Sequence, residues 1–423
     1  MNNSEADNII AENPAGCGPL LHRDRGRELP LRQQIFQHVR ALGRTARADL
    51  ARALDISAGS ATTLTADLIA SGLMREVDGQ ARDIGRGRPR VALEIVPNAA
   101  YVIGIKLSFK KHTAVLSDFA GDVVATAEMP STGKRGSGVE LLDEVEDLIS
   151  LVTKNGGKTF KDIKAVGVGL PGIVDITTGT IIWSSLLKDP NEDLRTLFAQ
   201  RLDMPLFLDN DTNMLTLAEL WFGVGRDMTD FAVVTIENGV GMGLVVNNSL
   251  YRGTHGMGLE LGHTKVQLDG ALCGCGQRGC LEAYIADYAL TREAAIALDH
   301  IGNEPKTPEE LLELLFSEAK AGNSAALSIF KRAGRFLSVG LSNVIQLFDP
   351  PLIILSGDRM QNDYLHASEI FAEMHNLTLS DGRQPCKVAI HPWDDFVWAR
   401  GATAPALSAL TDVMVGGLEA QNL

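Results

Sequence analysis

The sequence has no run of about eighteen consecutive apolar residues, the length that a membrane-spanning helix needs. Its opening residues, M-N-N-S-E-A-D, lack the basic and apolar regions of a secretion signal, which favours a cytoplasmic location. Five cysteines occur in 423 residues, so we expect a reducing compartment and no disulfide framework. The chain is 45% hydrophobic and 22% charged, which is typical of a globular protein of two or three domains.

Positive charge is scarce overall and is concentrated near the N-terminus. The net charge of the chain is −14, yet residues 23–90 contain 13 arginines and 8 acidic residues, a balance of +5 that leaves −19 for the rest. A basic module on an acidic body is expected when one module alone contacts the phosphates of nucleic acid.

Helical periodicity begins near Leu31 and predicts a small N-terminal domain. Residues 1–28 show no sustained pattern and are predicted to form a mostly disordered tail. Residues 29–97 predict three short helices, the second capped by Thr45 and the third by Ser57, and then a hairpin. This order is typical of a winged helix-turn-helix DNA-binding domain. The alternative is a small helical bundle with a solvated basic loop.

The third predicted helix contains no lysine or arginine, so its base contacts would come from hydroxyl hydrogen bonds and methyl packing. Arginines, including those of the hairpin loop G-R-G-R-P-R, would bind phosphates or enter a minor groove. The predicted DNA-binding residues are Arg44, Arg47, Ser57, Ala58, Ser60, Thr62, Thr63, Arg86, Arg88 and Arg90.

Three of the five cysteines lie in one short stretch, G-L-E-L-G-H followed by C-G-C-G-Q-R-G-C-L-E. It places His263, Cys273, Cys275 and Cys280 within eighteen residues. Three thiolates and one imidazole make a closed tetrahedral set, which predicts a structural Zn²⁺ site. The alternative is a group of reduced cysteines that cluster without a metal.

Beyond Pro97 strands alternate with amphipathic helices, which predicts an α/β body of two lobes over residues 98–423. Apolar runs predict strands at 102–105, 113–116, 122–127, 165–169, 205–208, 231–236, 242–246 and 351–355. Helical periodicity predicts helices at 138–154 and 212–224.

Several motifs of this body resemble those of one family. They are G-V-G-L-P-G at 167–172, L-D-N-D-T-N at 208–213, E-N-G-V-G-M-G at 237–243, G-L-E-L-G-H and the cysteine stretch. With them, residues 29–423 resemble a ROK-family transcriptional regulator, a sugar-responsive repressor. The resemblance implies an α/β chain in which a winged helix-turn-helix precedes a two-lobed actin-like (ribonuclease H-like) ATPase fold. It also implies a sugar site lined by Asn210, Asp211, Glu260, His263 and Glu282.

Two of these residues have additional or alternative roles. His263 would bind zinc through one ring nitrogen and face the ligand with the other, so the metal would be structural. Asp211 precedes a predicted helix and would equally suit an N-cap, a role that does not exclude sugar binding.

ROK kinases resemble the chain less well at one loop. In those kinases a D-x-G-G-T loop holds ATP, and an aspartate at the position of Asp211 is the general base. This chain reads G-I-K-L-S-F-K-K at 104–111, so Lys106 replaces the magnesium-binding aspartate, and Leu107, Ser108 and Phe109 follow it. Phosphoryl transfer depends on positioning and charge neutralisation, so we predict that the chain is not an enzyme.

The sequence therefore predicts a repressor of carbohydrate uptake or catabolism genes. Its partners would be a double-stranded DNA operator, a sugar or sugar phosphate that shifts its conformational population, and a second copy in a homodimer or dimer of dimers. Two alternatives are an ATP-dependent sugar kinase with a fused DNA-binding domain, and a zinc protein whose N-terminal helices bind another protein.

Overall fold

The computed structural model of the chain describes residues 15–20, 29–78, 91–298, 306–357, 368–379 and 381–417. They divide into two compact units. The first unit comprises Ile9–Thr229, Val245–Leu250 and Asp395–Leu423, and the second comprises Asp230–Leu244 and Tyr251–Asp394, each over its described residues. Within the described ranges no helix combines the length and apolar character needed to cross a membrane.

The first unit begins with a winged helix module. Its elements are α1 (Leu31–Leu42), β1 (Thr45–Ala46), α2 (Arg47–Ala53), α3 (Ala58–Ala70), β2 (Met74–Asp78) and β3 (Val91–Ile95). The strands pair antiparallel in the order β1-β3-β2. Apolar side chains from α1, α2, α3 and β3 are fully buried in this module, among them Phe36, Leu50, Leu68 and Leu93. The predicted three helices and returning hairpin are confirmed.

The two predicted helix caps of the module have different outcomes. The Ser57 hydroxyl accepts a hydrogen bond from the Ser60 N–H at 3.0 Å, as an N-cap should. The cap predicted at Thr45 is wrong, because Thr45 lies in β1 and pairs with Leu93, and α2 begins without a side-chain cap. A strand of two residues leaves no periodicity in a sequence, and its partner is far along the chain.

Of the segment 1–28, predicted as a mostly disordered tail, residues 15–20 are described and are packed in the first unit, and the other residues of the segment lie outside the described residues. Cys17 is 2% exposed, and its N–H donates to the carbonyl of Arg40 at 3.1 Å. The Leu20 N–H donates to the carbonyl of Arg226 at 2.7 Å. This segment therefore lies between the end of α1 and the body of the first unit, where its backbone polar groups are paired.

The body of the first unit is built on a sheet of five strands within the described residues. Its elements are β4 (Tyr101–Lys106), β5 (Lys111–Asp118), β6 (Val123–Pro130), α4 (Gly138–Asn155), β7 (Ile163–Leu170), β8 (Gly172–Asp175), β9 (Thr180–Ser184), β10 (Glu192–Asp193), α5 (Leu194–Arg201), β11 (Leu206–Asn210) and α6 (Asp211–Phe222). The order is β11-β7-β4-β5-β6, parallel from β11 to β4 and antiparallel from β4 to β6. Strands β8 to β10 form a small antiparallel sheet.

Another sheet, of five strands among the described residues, lies mainly in the second unit, and its residues 245–250 are assigned to the first unit. The elements of this part of the chain are β12 (Phe231–Ile236), β13 (Val240–Val246), β14 (Ser249–Tyr251), α7 (Glu282–Ile285), α8 (Asp287–Ala297), α9 (Pro308–Lys320), α10 (Ser324–Phe348), β15 (Leu352–Ser356), α11 (Ser368–Leu377) and β16 (Lys387–His391). The order is β14-β13-β12-β15-β16, and the last three strands run parallel. The predicted strands and helices of both units overlap β4 to β7, β11 to β13, β15, α4 and α6.

A final helix, α12 (Val397–Met414), belongs to the first unit and packs on its sheet. A Cβ placed on Gly104 of β4 would overlap the carbonyl oxygen of Ala399, and one on Gly167 of β7 would overlap that of Ala402. Glycine is therefore required at both positions for this close approach. Helix α12 was not predicted, because it has buried residues on all sides, which leaves no amphipathic period in its sequence, and because it contains Pro405.

Candidate functional sites

The motif L-D-N-D-T-N forms the turn from β11 into α6. The Asn210 side chain is the N-cap, accepting from the Thr212 N–H at 2.8 Å and donating to the carbonyl of Gly172 at 2.8 Å. Asp209 accepts from the Asn213 side-chain amide at 2.7 Å. Asp211 is therefore not the N-cap but the first residue of the helix.

The surroundings of Asp211 act in opposite directions on its carboxyl group. It is partly exposed, and its side chain accepts from the Thr212 N–H at 2.8 Å. Desolvation by the surrounding protein raises the pKa of Asp211, and the positive charge of Lys106 opposes this rise. A carboxylate in the first helical turn also lies at the positive end of the helix dipole.

The loop between β4 and β5 is closed by hydrogen bonds between its own residue Ser108 and the start of β5. The Ser108 hydroxyl donates to the carbonyl of Lys111 at 2.6 Å, and the Ser108 N–H donates to Nδ1 of His112 at 3.2 Å. Nε2 of the buried His112 lies 2.5 Å from a carboxylate oxygen of Glu144. Leu107 is buried and Phe109 is exposed. The backbone N–H of Ser108 is thus already paired.

Lys106, the last residue of β4, lies beside this loop. Its Nζ is 3.2 Å from the centre of the Trp398 ring, at the start of α12. An ammonium group over the face of an indole ring is attracted by the negative charge of the ring face. The cation therefore has a fixed position at the end of the parallel strands.

The four predicted metal ligands of the second unit come together. The sulfurs of Cys275 and Cys280 are 3.8 Å apart, and Cys273 Sγ is 3.7 Å from Nδ1 of His263. All four ligand atoms lie within 4.8 Å of one another. A tetrahedral Zn²⁺ with bonds of about 2.3 Å to sulfur requires two sulfurs to be about 3.8 Å apart. The donor types and spacing therefore fit a metal ion.

The acidic residues predicted for the sugar site lie near this cluster. Glu282, which begins α7, accepts from the Val240 N–H at 3.2 Å and from the Cys273 thiol at 3.5 Å. The Glu260 carbonyl accepts from the His263 N–H at 3.0 Å in a short 3₁₀ turn. The structure thus brings Glu260, His263 and Glu282 close to the metal ligands in the second unit, while Asn210 and Asp211 belong to the first unit.

Five of the residues predicted to bind DNA lie at the start of α3 and along its exposed side. Ser57, Ala58, Ser60, Thr62 and Thr63 are exposed. Two of the arginines make ion pairs: Arg44 with Glu94 at 2.8 Å, and Arg47 with Glu76 at 2.6 Å. Binding of Arg44 or Arg47 to a DNA phosphate would require its ion pair with glutamate to be replaced by a pair with the phosphate. Arg86, Arg88 and Arg90 lie outside the described residues.

Sequence reasoning missed a buried junction between the winged helix module and the body of the first unit. Arg226 is 1% exposed, its Nε donates to the carbonyl of Gly18 at 2.9 Å, and its Nη2 donates to the carbonyl of Ala41. Arg40, at the end of α1, donates to the Thr411 hydroxyl at 2.9 Å. No sequence signal marks these pairs, because their members are far apart in the chain.

Comparison with known proteins places this architecture in one family. The model of the ROK family matches residues 102–408. The xylose repressor of Caldicellulosiruptor bescii is 28% identical over 321 residues, which cover 73% of this chain and 78% of that protein. The DNA-binding transcriptional dual regulator NagC of Escherichia coli K12 is 28% identical over 335 residues, covering 78% of this chain and 80% of NagC.

Solved structures agree on the fold. A ROK family transcriptional regulator, described as a homolog of the E. coli MLC protein, superposes with a TM-score of 0.75 at 23% identity, covering 91% of this chain and 97% of that chain. A ROK family glucokinase from Streptomyces griseus, solved with glucose and AMPPNP, gives a TM-score of 0.61 at 25% identity, covering 72% and 98%. The predicted fold class is confirmed. The chain belongs to the ROK family.

Proposed function

We propose that this protein is a sugar-responsive DNA-binding transcriptional repressor that does not phosphorylate its ligand. One observation carries the proposal: α6 and α12 each begin at the candidate sugar site and end on the winged helix module. Asp211 begins α6, and Trp398, which holds Lys106, is the second residue of α12. All of these elements belong to the first unit.

The far end of α6 contacts the module through Trp221. The guanidinium of Arg40 lies 4.8 Å from the centre of the Trp221 ring, and the carbonyl of Trp221 accepts from the Gly18 N–H at 2.8 Å. A shift of α6 caused by ligand binding at Asp211 would therefore change contacts of α1 and of residues 15–20.

The far end of α12 contacts the same helix of the module. Thr411 accepts from Arg40, Asp412 accepts from the Gln33 amide at 2.5 Å, and the Val415 carbonyl accepts from Arg32 at 2.5 Å. The two helices also touch directly, because a Cβ on Gly401 would overlap the carbonyl of Met214 in α6. Because α6 and α12 are packed this closely, we propose that a shift of one displaces the other and so couples the two sites.

The ligand contacts would come from carboxylates and amides, which bind the vicinal hydroxyls of a sugar. We propose that Asn210, Asp211, Glu260, His263 and Glu282 bind the sugar. The effector would be a sugar or sugar phosphate. By thermodynamic linkage, DNA binding would change the affinity of the protein for the sugar by the same factor by which sugar binding changes its affinity for DNA.

We also propose that the cysteine cluster holds a structural Zn²⁺ through His263, Cys273, Cys275 and Cys280. The ion would fix the shape of the loop and the tautomer of His263. Lys265 Nζ donates a hydrogen bond to Cys280 Sγ at 2.9 Å, so a positive charge lies beside the ligand set.

The partner of the winged helix module would be a double-stranded DNA operator. The exposed residues Ser57, Ala58, Ser60, Thr62 and Thr63 of the α3 face would read bases, and Arg44, Arg47, Arg86, Arg88 and Arg90 would bind phosphates. One winged helix reads few base pairs, so we propose a homodimer or dimer of dimers.

An ATP-dependent sugar kinase is the second candidate function. The glucokinase of Halalkalibacterium halodurans is 29% identical over 249 residues, covering 56% of this chain and 74% of that enzyme, which favours this candidate. Lys106 at the position of the magnesium-binding aspartate argues against it, since an ammonium group cannot ligate a cation. A coupled assay with ATP and hexoses decides between them, because turnover that disappears in Asp211→Asn would support the kinase.

The test of the repressor proposal is fluorescence anisotropy of the full chain on its own promoter DNA, titrated with a sugar panel. We expect salt-sensitive DNA binding and one sugar class that changes DNA affinity about tenfold or more. Asp211→Asn should weaken sugar binding and therefore reduce the sugar response, while leaving the DNA affinity of the sugar-free protein unchanged. Asp147→Asn, on the exposed side of α4, is the matched control and should respond as wild type. The absence of any salt-sensitive DNA complex contradicts the proposal.

A further inference from the structure

We infer that Lys106 is a built-in counter-ion of Asp211, and that the site consequently binds an uncharged sugar without a divalent cation. This inference rests on the proposed function, because it concerns the ligand of the same site. It assigns to Lys106 the role of a specificity-determining residue.

The register of the parallel strands brings the two residues together. Lys106 of β4 pairs with Gly169 of β7. A Cβ built on Gly169 would lie 3.7 Å from the Cα of Asp211 and 2.8 Å from Cγ of Met214. Gly169 thus leaves room for the start of α6 to lie directly over the sheet, one strand away from Lys106.

The side chain of Lys106 lies on the same face of the sheet as α6. Alternate residues of a strand point to opposite faces, and Gly104, two residues before Lys106, contacts α12. The Nζ of Lys106 accordingly lies over Trp398 of α12. From this position its charge stabilises the carboxylate of Asp211 against the desolvation that raises the pKa of that group.

This arrangement determines which charge the ligand can carry. A magnesium site needs carboxylate oxygens and phosphates around the ion, whereas here an ammonium group balances the carboxylate of Asp211. A phosphate that approached Lys106 would also approach Asp211, and like charges at short range repel. An uncharged sugar is not repelled in this way, because its hydroxyl groups donate hydrogen bonds to the carboxylate.

The experiment is isothermal titration calorimetry of the full chain at neutral pH, with and without magnesium chloride. The probes are D-xylose, D-glucose and N-acetyl-D-glucosamine, each as the free sugar, together with the 6-phosphates of the two hexoses. We expect at least one free sugar to bind about tenfold or more tighter than its phosphate, with an affinity that magnesium does not change.

A double-mutant cycle tests whether Lys106 acts through Asp211. Lys106→Met should weaken binding of the free sugar about tenfold or more. In the Asp211→Asn background the same change should alter affinity less than about twofold, because the charge that Lys106 balances is gone. Lys106→Arg keeps the charge and should retain most of the affinity. Lys110→Met, at an exposed lysine of the same loop, should bind as wild type. An unchanged melting temperature confirms that each variant is folded.

The outcomes separate this inference from the proposed function. Tighter binding of a 6-phosphate than of its free sugar, a requirement for magnesium, or equal losses from Lys106→Met in both backgrounds overturns the role of Lys106 and leaves the repressor proposal standing. If no free or phosphorylated sugar binds the wild-type chain, the proposed sugar site itself fails, and this inference fails with it.

Discussion

Arg40 of α1 donates a hydrogen bond from Nη1 to the hydroxyl of Thr411 in α12, at 2.9 Å and across 371 residues of sequence. Both side chains are buried, Arg40 at 3% exposure and Thr411 at 0%. A buried arginine needs every available partner, because an unpaired buried charge is costly. This bond therefore fixes the winged helix module to a helix whose other end lies at the candidate sugar site.

Thr411→Val should weaken that junction. Valine has nearly the same shape as threonine but cannot accept the hydrogen bond. We therefore expect the module to lose about 1–3 kcal/mol of stability, and sugar binding to change the affinity for DNA by a smaller factor. The measurements are differential scanning calorimetry and DNA anisotropy with and without ligand. Thr403→Val, in the same helix but away from α1, is the control. Equal effects of the two changes would contradict a special role of the bond.

Arg226→Met should release residues 15–20. The change leaves the carbonyls of Gly18 and Ala41 without their guanidinium donor in a buried site. Cys17 is buried, and desolvation raises the pKa of its thiol, so it should react slowly with iodoacetamide in the wild-type protein. We expect about tenfold or faster alkylation of Cys17 in the variant, measured by peptide mass spectrometry.

The matched control for this prediction is Arg195→Met. Arg195 also donates to two backbone carbonyls, those of Ile176 and Thr177, but it lies far from the junction in the small sheet region. Alkylation of Cys17 should be unchanged in this control. A rate in Arg226→Met equal to the wild-type rate would mean that Arg226 does not hold the segment.

Cys275→Ser should release the metal ion. A serine hydroxyl is a poor zinc ligand, and losing one of four ligands opens a structural site. Elemental analysis of the purified protein should give one zinc per wild-type chain and well under one per variant chain. Cys386→Ser, which replaces a buried cysteine outside the cluster, is the control and should retain one zinc per chain. A full equivalent in Cys275→Ser removes that residue from the ligand set.

Asp118 should make the first unit less stable as pH rises. Desolvation raises the pKa of Asp118 from its usual 3.8 to about 6. Between pH 3.8 and about 6 the Asp118 carboxyl group is therefore protonated in the folded protein but ionised in the unfolded chain. As the pH rises through this range the free energy of unfolding falls, and above a pH of about 6 the ionised group destabilises the folded protein by about 1–3 kcal/mol. Asp118→Asn removes the proton-binding group and keeps an oxygen for the N–H groups of Ala120 and Asp122.

The check on Asp118 is the melting temperature of both proteins as a function of pH. We expect Asp118→Asn to melt higher than wild type at neutral pH, and the difference to disappear near pH of about 4. The same difference at both pH values would contradict a raised pKa. Asp122→Asn, at the neighbouring acidic residue, is the control.

Replacing Arg86 and Arg88 by alanine should lower the affinity for all DNA sequences by a similar factor. If both arginines bind phosphates, the slope of log affinity against log salt should become shallower by about two. Thr62→Ala with Thr63→Ala should instead change which bases are preferred, because these residues lie on the exposed side of α3. An unchanged salt slope in the arginine variant removes the loop from the interface.

Local patterns in the sequence were sufficient for much of the fold. Alternating apolar runs located β4, β7, β11 and β12, and amphipathic spacing located α4 and α6. The cap at Ser57 was predictable because a serine before a helix bonds an N–H within the same turn. The cysteine cluster was predictable for a related reason, since its four ligands lie within eighteen residues.

Other features depend on residues that meet across the chain. The strand at Thr45 exists because β3 pairs with it. Residues 15–20 have a defined position because the backbone carbonyls of Arg40 and Arg226 accept hydrogen bonds from the N–H groups of Cys17 and Leu20. Helix α12 has no polar stripe, since it is buried between the sheet and α6. Each of these contacts has a large sequence separation, so no local pattern records it.

Composition and short spacings were sufficient to predict a basic winged helix, three cysteines and one histidine that could hold a metal, and Lys106 directly after the first predicted strand of the body. Only the folded structure shows that Lys106 and the start of α6 lie over the same face of the sheet, and that α6 and α12 both contact Arg40 of α1. The physical reason is that composition and short spacings are properties of the chain, whereas charge pairing and helix packing arise only when distant segments are brought together.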